Sequence, residues 1–184
     1  MDPLRVLTVC TGNTCRSPMA AALVAARFGD AGISVEVASV GTLGWSGRPA
    51  TAHAVEVMHN MGLDISGHRS RRIEPTDLEV DLVLAMTRVH ADSVIARDTT
   101  LRPRVFLPTE LHRLLRSADR ASPNITEPNI ADLLHDLDAL RTGSTIGRPN
   151  EEVSDPAGEP LDTYLATAQR LDKAISGFVA RLRE

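Results

Sequence analysis

The segment from Val9 to Pro18, with the sequence VCTGNTCRSP, limits what this chain can fold into more than any other. It follows the apolar run 4–9, which predicts a short buried strand, and it precedes the alanine-rich segment 19–28, which predicts a helix. A tight loop between a strand and a helix directs backbone N–H groups and the positive end of the helix dipole toward one point. The segment is therefore predicted to bind an anion.

The side chains of this loop indicate that the anion is a phosphoryl group and that a cysteine attacks it. Cys10 opens the loop, where the helix terminus and Arg16 both favour the thiolate form of a cysteine. Arg16 presents a planar set of donors that binds two phosphoryl oxygens at once. Gly12 and Asn13 tolerate left-handed backbone dihedrals, which lets successive amides turn inward. Ser17 is expected either to donate a hydrogen bond to Cys10 or to cap the helix.

The loop, with a cysteine, five residues, an arginine and a serine, resembles the active-site loop of the low-molecular-weight protein tyrosine phosphatases. In that family the cysteine is the nucleophile, the arginine binds phosphate, and a distant Asp-Pro supplies the general acid. The resemblance implies these roles for Cys10, Arg16 and Asp155, which precedes Pro156 and a predicted C-terminal helix. One carboxyl in that place can protonate the leaving atom and later deprotonate a water. The phosphate-binding residues implied are Thr11, Gly12, Asn13, Thr14, Cys15 and Arg16.

The resemblance also assigns roles to three residues outside the loop. Ser39, in the string SVGT, resembles a serine that supports the phosphate loop from behind, and we expect it to hydrogen-bond Asn13. An ordinary turn serine is the alternative. His68 is implied to join a hydrogen-bond network with the loop asparagine, the alternative being a surface histidine. Trp45, the only tryptophan, is interpreted as one wall of the substrate cleft or as a lid over the edge of the core.

Two positions depart from the tyrosine-directed members of the family. Ala157 and Gly158 follow Asp155, where those members usually carry aromatic residues that flank the substrate ring. The cleft wall expected at Ala157 is therefore thinner. Thr11 stands where tyrosine-directed loops commonly have a larger aliphatic residue, and the string CTGNTCRSPMA resembles the protein arginine phosphatases of the same fold. Phosphotyrosine is the first substrate predicted, and phosphoarginine is the alternative.

Two other functions are compatible with such a loop. Thioredoxin-coupled arsenate reductases use it, but they relay oxidation through further cysteines, and this chain has only Cys10 and Cys15. An arsenate reductase would therefore have to use an external thiol. A non-catalytic phosphate-binding module would need neither a nucleophile nor an acid. Cys15 is expected either to form a reversible disulfide with Cys10 under oxidation or to pack beneath the loop.

The order of predicted elements indicates a single α/β domain over residues 1–184. Strands alternate with helices, which predicts a four-stranded parallel sheet with helices on both faces, as in the low-molecular-weight phosphatases. The carboxyl ends of such strands are where ligands bind, and the loop follows the first strand. Residues 108–150 are predicted to be a helical insertion before the acid loop. The segments behind these predictions are strands at 4–9, 33–38, 81–86 and 105–107, helices at 110–118 and 130–140, and a loop at 122–129.

Composition narrows the class of partner. A net charge of −4 and an aromatic content of 3% argue against binding to nucleic acid. Two cysteines in one loop make no disulfide framework, residues 1–9 lack a signal-peptide pattern, and no apolar run approaches membrane-spanning length. The chain is therefore interpreted as a cytoplasmic enzyme without metal or cofactor. Its expected partner is a phosphorylated protein, and weak self-association is also allowed.

Overall fold

The computed structural model describes residues 2–121, 130–141, 143 and 145–183, and a four-stranded parallel sheet lies at its centre. The strands are β1 (Leu4–Cys10), β2 (Val35–Gly41), β3 (Leu82–Ala85) and β4 (Val105–Phe106), in the order β2-β1-β3-β4. The α-helices are α1 (Arg16–Asp30), α2 (Ala52–Asn60), α3 (Arg88–Ile95), α4 (Pro108–Ala121), α5 (Ile130–Ala139) and α6 (Leu161–Arg181). Short 3-10 helices span Pro75–Leu78, Thr99–Arg104 and Pro149–Glu151.

Both faces of the sheet are covered, as the predicted fold class requires. Along β1, Val6 and Cys10 belong to the core that includes α1, α2 and α6, whereas Leu7 and Val9 belong to the core that includes α3. β3 and β4 are buried throughout and are continuous apolar runs in the sequence, whereas β1 and β2 each contain an exposed charged residue, Arg5 and Glu36. The prediction of a single α/β domain with helices on both faces is confirmed.

The order of the strands places the loop after β1 at a switch point. β2 pairs on one side of β1 and β3 pairs on the other, so the connections leave the carboxyl end of β1 in opposite directions. Met86, just after β3, donates its N–H to the carbonyl of Val9 at 2.9 Å and accepts from the N–H of Val153 at 2.8 Å. These bonds attach the segment that carries Asp155 to the same edge of the sheet.

Most boundaries differ from the sequence predictions by a few residues, and two of the differences lie beside the phosphate loop. β2 continues to Gly41, beyond the predicted strand 33–38, because the pairing with β1 extends until Cys10 lies opposite Gly41. α1 begins at Arg16 rather than at residue 19, with Pro18 in its first turn, where a missing N–H costs nothing. Thr87 caps α3, since its hydroxyl accepts from the N–H of His90.

The segment 108–150 shares its core with the rest of the domain. α4 packs against α6, and α5 packs against α4 and the 3-10 helix Thr99–Arg104. Ile130, at the start of α5, lies beside Leu4 and Asp81, which are at the amino ends of β1 and β3 and hence far from the phosphate loop. The predicted loop 122–129 lies outside the described residues, and the prediction that 108–150 is an insertion stays a prediction. Within the described ranges, no helix has the length and apolarity needed to cross a membrane.

Candidate active site

Cys10 ends β1, and its buried side chain lies at the base of the loop. Its Sγ accepts a hydrogen bond from the backbone N–H of Asn13 at 3.3 Å and lies 3.0 Å from Oγ of Ser17. Ser17 does not cap α1, because it already lies within the first helical turn. Its hydroxyl instead accepts from Nδ2 of Asn13 at 2.9 Å and has the carbonyl of Val40 at 3.3 Å. The sulfur is therefore held by the loop and by the helix that follows it.

Asn13 fixes the conformation of the loop. Its φ is +54°, the only positive φ of a non-glycine residue within the described part of the chain. Nδ2 donates to Ser17 and, at 3.0 Å, to Oγ of Ser39, while Oδ1 accepts from the N–H of Arg71 at 2.9 Å. The Asn13 carbonyl lies 2.7 Å from Nε2 of His68. These bonds on both the side chain and the backbone offset the strain of the left-handed conformation.

Ser39 and His68 thus lie where the resemblance expects them, against Asn13. Their contribution to catalysis stays a prediction. The contact from the N–H of Arg71 was not expected, because a backbone donor leaves no trace in the residue type. Arg71 directs its side chain elsewhere, to Asp77, at 2.6 and 2.7 Å.

The backbone of the loop rests on Gly41. A Cβ at this position would lie 2.6 Å from the carbonyl oxygen of Thr11 and 3.1 Å from the backbone nitrogen of Asn13. Contacts that short between Cβ and backbone atoms require the loop to move. Gly41 therefore allows the close approach that places the loop over the end of β2.

Trp45 lies against the outer side of the loop. A Cβ on Gly12 would meet the indole edge of Trp45 at 3.0 Å, so ring and loop are in contact. The guanidinium of Arg48 lies 4.5 Å from the ring centroid, and the hydroxyl of Ser70 donates to the Trp45 carbonyl. The tryptophan is 49% exposed, so it borders the loop without covering it. This position is compatible with a cleft wall, and that role stays a prediction.

Arg16 connects the loop to the distant Asp-Pro segment. Its NH2 donates to Oδ2 of Asp155 at 2.5 Å, and its NH1 donates to the carbonyl of Val153 at 3.1 Å. Within the described residues, Nε of Arg16 is a buried donor without a hydrogen-bond partner. The side chain of Asp155 is 48% exposed, and its Oδ1 accepts from the N–H of the exposed Ala157 at 3.2 Å. The three predicted catalytic residues, Cys10, Arg16 and Asp155, therefore lie at one edge of the sheet.

Two ion pairs hold the segment before Asp155 in place. Glu151 pairs with Arg113 of α4 and accepts the N–H of Arg148 at 2.8 Å. Glu152 accepts from both the backbone N–H and the Nε of Arg88, each at 3.1 Å. The N–H and guanidinium of Arg88 hold the pKa of Glu152 below its usual range. The acid segment is thus fastened to α3 and α4.

Thr14 and Cys15 complete the loop. The carbonyl of Thr14 accepts the N–H of Thr51 at 2.8 Å, which ties the loop to the start of α2. Cys15 is buried, and burial raises the pKa of its thiol to about 12, so this cysteine is protonated at neutral pH. Both cysteines are free of disulfide bonds. The packing expected of Cys15 is present, and its disulfide with Cys10 stays a prediction.

A buried histidine was missed by the sequence analysis. Nε2 of His90 lies 2.9 Å from Oγ1 of Thr11, and Nδ1 lies 2.9 Å from Oγ1 of Thr87. Burial, assisted by the positive charge of Arg16, lowers the pKa of His90 to about 4. The available signal was weak: a histidine three residues after a helix cap, in the same helix as the apolar Ala91 and Val94.

Fold and site together define a cysteine-dependent phosphatase, and comparison with known proteins agrees. The family model "Low molecular weight phosphotyrosine protein phosphatase" matches residues 5–141. A protein-arginine-phosphatase from Bacillus subtilis is 38% identical over 179 residues, which cover 97% of each chain. A low molecular weight protein-tyrosine-phosphatase from Streptomyces coelicolor is 31% identical, covering 98% of this chain and 94% of that protein. The chain therefore belongs to the low molecular weight phosphotyrosine protein phosphatase family.

A solved structure shows the same fold. The low molecular weight protein tyrosine phosphatase from T. tengcongensis superposes with a TM-score of 0.73 at 32% identity, covering 97% of this chain and 99% of that chain. The match to the family model ends at residue 141, before Asp155. The acid role of Asp155 stays a prediction, and the structure places this residue in contact with Arg16.

Proposed function

We propose that this protein hydrolyses phosphotyrosine on proteins through a phosphocysteine intermediate. The observation that carries the proposal is the meeting of Arg16 with Asp155 at 2.5 Å, beside the loop that holds Cys10. A nucleophile, an anion-binding arginine and a carboxyl at one point are the groups that phosphoryl transfer to a thiolate needs.

The reaction then proceeds in two steps. The Cys10 thiolate attacks phosphorus, the S–P bond forms, and the bond from phosphorus to the tyrosine oxygen breaks as the Asp155 carboxyl gives that oxygen a proton. A water then attacks phosphorus, the Asp155 carboxylate takes the water's proton, and the S–P bond breaks. Inorganic phosphate leaves and the thiolate is restored. One carboxyl serves as acid and then as base.

The phosphoryl oxygens are proposed to bind Arg16 and the backbone N–H groups of residues 11–16. Support comes from Nε of Arg16, which is buried with no partner within the described residues. A buried guanidinium donor without a partner is unfavourable, and a phosphoryl oxygen is a strong acceptor for it.

The preference for an aromatic side chain is supported by Trp45. Its ring contacts the loop at Gly12 and keeps half of its surface exposed. Leu43, in the same connection after β2, is 64% exposed. These apolar groups provide a surface for the ring of a phosphotyrosine, even though Ala157 adds none on the acid side.

Phosphoarginine is the second candidate substrate, and a different observation favours it. Thr11, beside the nucleophile, offers a polar group that is fixed by its contact with His90. A fixed hydroxyl suits a guanidino leaving group, which carries N–H donors, better than it suits an aromatic ring. The relative from Bacillus subtilis is named a protein-arginine-phosphatase, and it matches this chain over nearly its full length.

The test compares hydrolysis of a phosphotyrosine peptide and a phosphoarginine peptide with the same flanking residues. Cys10→Ser is the control; it should abolish turnover and keep affinity for inorganic phosphate. A ratio of kcat/KM of about tenfold or more, equivalent to about 1.4 kcal/mol in transition-state binding, identifies the substrate. Arsenate reduction with an external thiol, in the absence of turnover of either peptide, would replace the phosphatase by the reductase.

The cellular setting is part of the proposal. The mechanism requires Cys10 to stay reduced, and Cys10 and Cys15 are both free, so we assign the protein to the cytoplasm, where thiols are kept reduced. Cell fractionation tests this assignment. Weak self-association stays a prediction, which sedimentation velocity can test.

A further inference from the structure

A chain of three polar side chains runs from the start of α3 to the phosphate loop. Thr87 caps α3, His90 lies in the first turn of that helix, and Thr11 directly follows Cys10. The two ring nitrogens of His90 lie 2.9 Å from the hydroxyl oxygens of Thr87 and Thr11. Only 4% of His90 is exposed, whereas Thr11 keeps part of its surface accessible. The histidine therefore contacts the loop from the protein interior.

The cap is compatible with two arrangements of the protons, because a threonine hydroxyl can accept two hydrogen bonds as well as donate one. Oγ1 of Thr87 accepts the N–H of His90 at 3.4 Å, and we place the hydroxyl proton of Thr87 toward its other neighbour, Nδ1, 2.9 Å away. A neutral imidazole with Nδ1 as acceptor carries its proton on Nε2. The low pKa of His90 keeps the ring neutral at neutral pH. Nε2–H then donates to Oγ1 of Thr11.

This bond fixes what Thr11 offers to a substrate. A threonine hydroxyl has one proton and two lone pairs, and His90 occupies one lone pair. The remaining proton can donate to a phosphoryl oxygen, and the remaining lone pair can accept from an N–H. Without His90 the side chain has a choice of staggered rotamers, and the orientation beside Cys10 is lost.

We propose that His90 is a positioning residue for substrate selection: it holds the Thr11 hydroxyl beside Cys10 and thereby raises the activity of the site toward leaving groups with N–H donors relative to its activity toward phenolic oxygens. The inference rests on the proposed function and specifies how that site chooses its substrate. His90 acts through Thr11 and does not itself reach the substrate. A site that hydrogen-bonds a substrate group discriminates strongly against analogues that lack it.

Two substitutions separate the contacts of His90. In His90→Gln the side-chain amide can occupy the place of Nε2 and keep the contact with Thr11. In His90→Asn the shorter side chain can keep the contact with Thr87 and loses the one with Thr11. The measured quantity is kcat/KM for a phosphoarginine peptide divided by kcat/KM for a phosphotyrosine peptide. We expect His90→Asn to lower this ratio by about five- to tenfold, which corresponds to the loss of one hydrogen bond. We expect His90→Gln to keep the ratio within about twofold of the unmodified protein.

A double-mutant cycle tests whether the effect passes through Thr11. Thr11→Val removes the hydroxyl and keeps the branched shape, so His90→Asn should not lower the substrate ratio further in that background. Long-range ¹H–¹⁵N NMR on the unmodified protein reports the ring directly, and it should show the proton on Nε2 and a shifted signal in Thr11→Val. This measurement does not require the histidine variants to fold.

The outcomes are distinct. Equal losses for both peptides in His90→Asn, or a full effect of His90→Asn on the ratio in the Thr11→Val background, would overturn the inference and leave the phosphatase intact. A proton on Nδ1 rather than Nε2 would also overturn it. Absence of turnover that depends on Cys10, for both peptides, would overturn the proposed function and the inference together.

Discussion

Oδ2 of Asp155 lies 2.5 Å from NH2 of Arg16, although 139 residues separate them in the sequence. The arginine is almost fully buried, whereas the aspartate side chain is about half exposed. A phosphoryl group that enters the loop must share this guanidinium with Asp155. In the proposed mechanism, the same contact keeps the carboxyl next to the leaving atom that it protonates.

Replacement of Asp155 by asparagine should lower kcat for a phosphotyrosine peptide by about 10²- to 10⁴-fold, the usual contribution of a general acid. It should also tighten binding of inorganic phosphate, because a carboxylate no longer competes for Arg16. Steady-state kinetics with phosphate as a competitive inhibitor measures both effects. Asp162→Asn is the matched control, since Asp162 is an exposed residue in the first turn of α6. A loss below about tenfold in Asp155→Asn would remove Asp155 from the mechanism.

The close approach at Gly41 gives a second prediction. Gly41→Ala should displace the loop and lower kcat/KM by at least about tenfold, because the added methyl meets backbone atoms of Thr11 and Asn13. Overpacking of this kind also costs about 1–3 kcal/mol of stability. Gly29→Ala is the control, because its Cβ meets nothing within 4 Å and alanine favours the helix by up to about 1 kcal/mol. Gly41→Ala should therefore lower both the free energy of unfolding in urea and kcat/KM. Gly29→Ala should raise the free energy of unfolding and leave kcat/KM unchanged.

The part of the site that was predictable is the part that is local in sequence. The strand, the loop and α1 lie within residues 4–30, and the turn residues and the proline in that stretch each agree with the observed structure. Local patterns suffice where one short stretch makes its own hydrogen bonds.

The contacts between distant segments were less predictable. His90 meets Thr11 across 79 residues only because β3 pairs beside β1 and carries α3 to the loop. The end of β2 was misplaced because register with β1, rather than local propensity, extends the strand to Gly41. Backbone groups such as the N–H of Arg71, which binds Asn13, have no signature in a sequence.

The burial of His90 predicts how stability depends on pH. The pKa of His90 is about 4 in the folded protein, and an unfolded histidine has a pKa of about 6.5, so the unfolded state binds more protons between these values. Stability should therefore be fully present above about pH 6.5 and be lost as the pH falls toward 4, with a contribution of at most about 3 kcal/mol. Chemical unfolding at several pH values measures this. His90→Asn should flatten the slope; an unchanged slope would exclude His90 as its source.

A buried ion pair lies within the segment 108–150, and its arginine contacts Phe106 of β4. Glu110 and Arg141 are 1% and 2% exposed, lie 2.9 Å apart, and the Arg141 guanidinium lies over the ring of Phe106. Arg141→Met leaves Glu110 buried without its charge partner and should destabilise the protein by about 3–5 kcal/mol. Arg5→Met, which removes the exposed pair with Asp81, should cost less than about 1 kcal/mol. Equal unfolding free energies for the two variants would contradict this account.

The most direct test of the central claim is to trap the phosphoenzyme. 4-Nitrophenyl phosphate has a leaving group that departs without an acid, so Asp155→Asn should form the intermediate and hydrolyse it slowly. Rapid acid quench followed by peptide mass spectrometry should then place one phosphoryl group on Cys10. A phosphoryl group on another residue, or turnover that persists in Cys10→Ser, would contradict the mechanism.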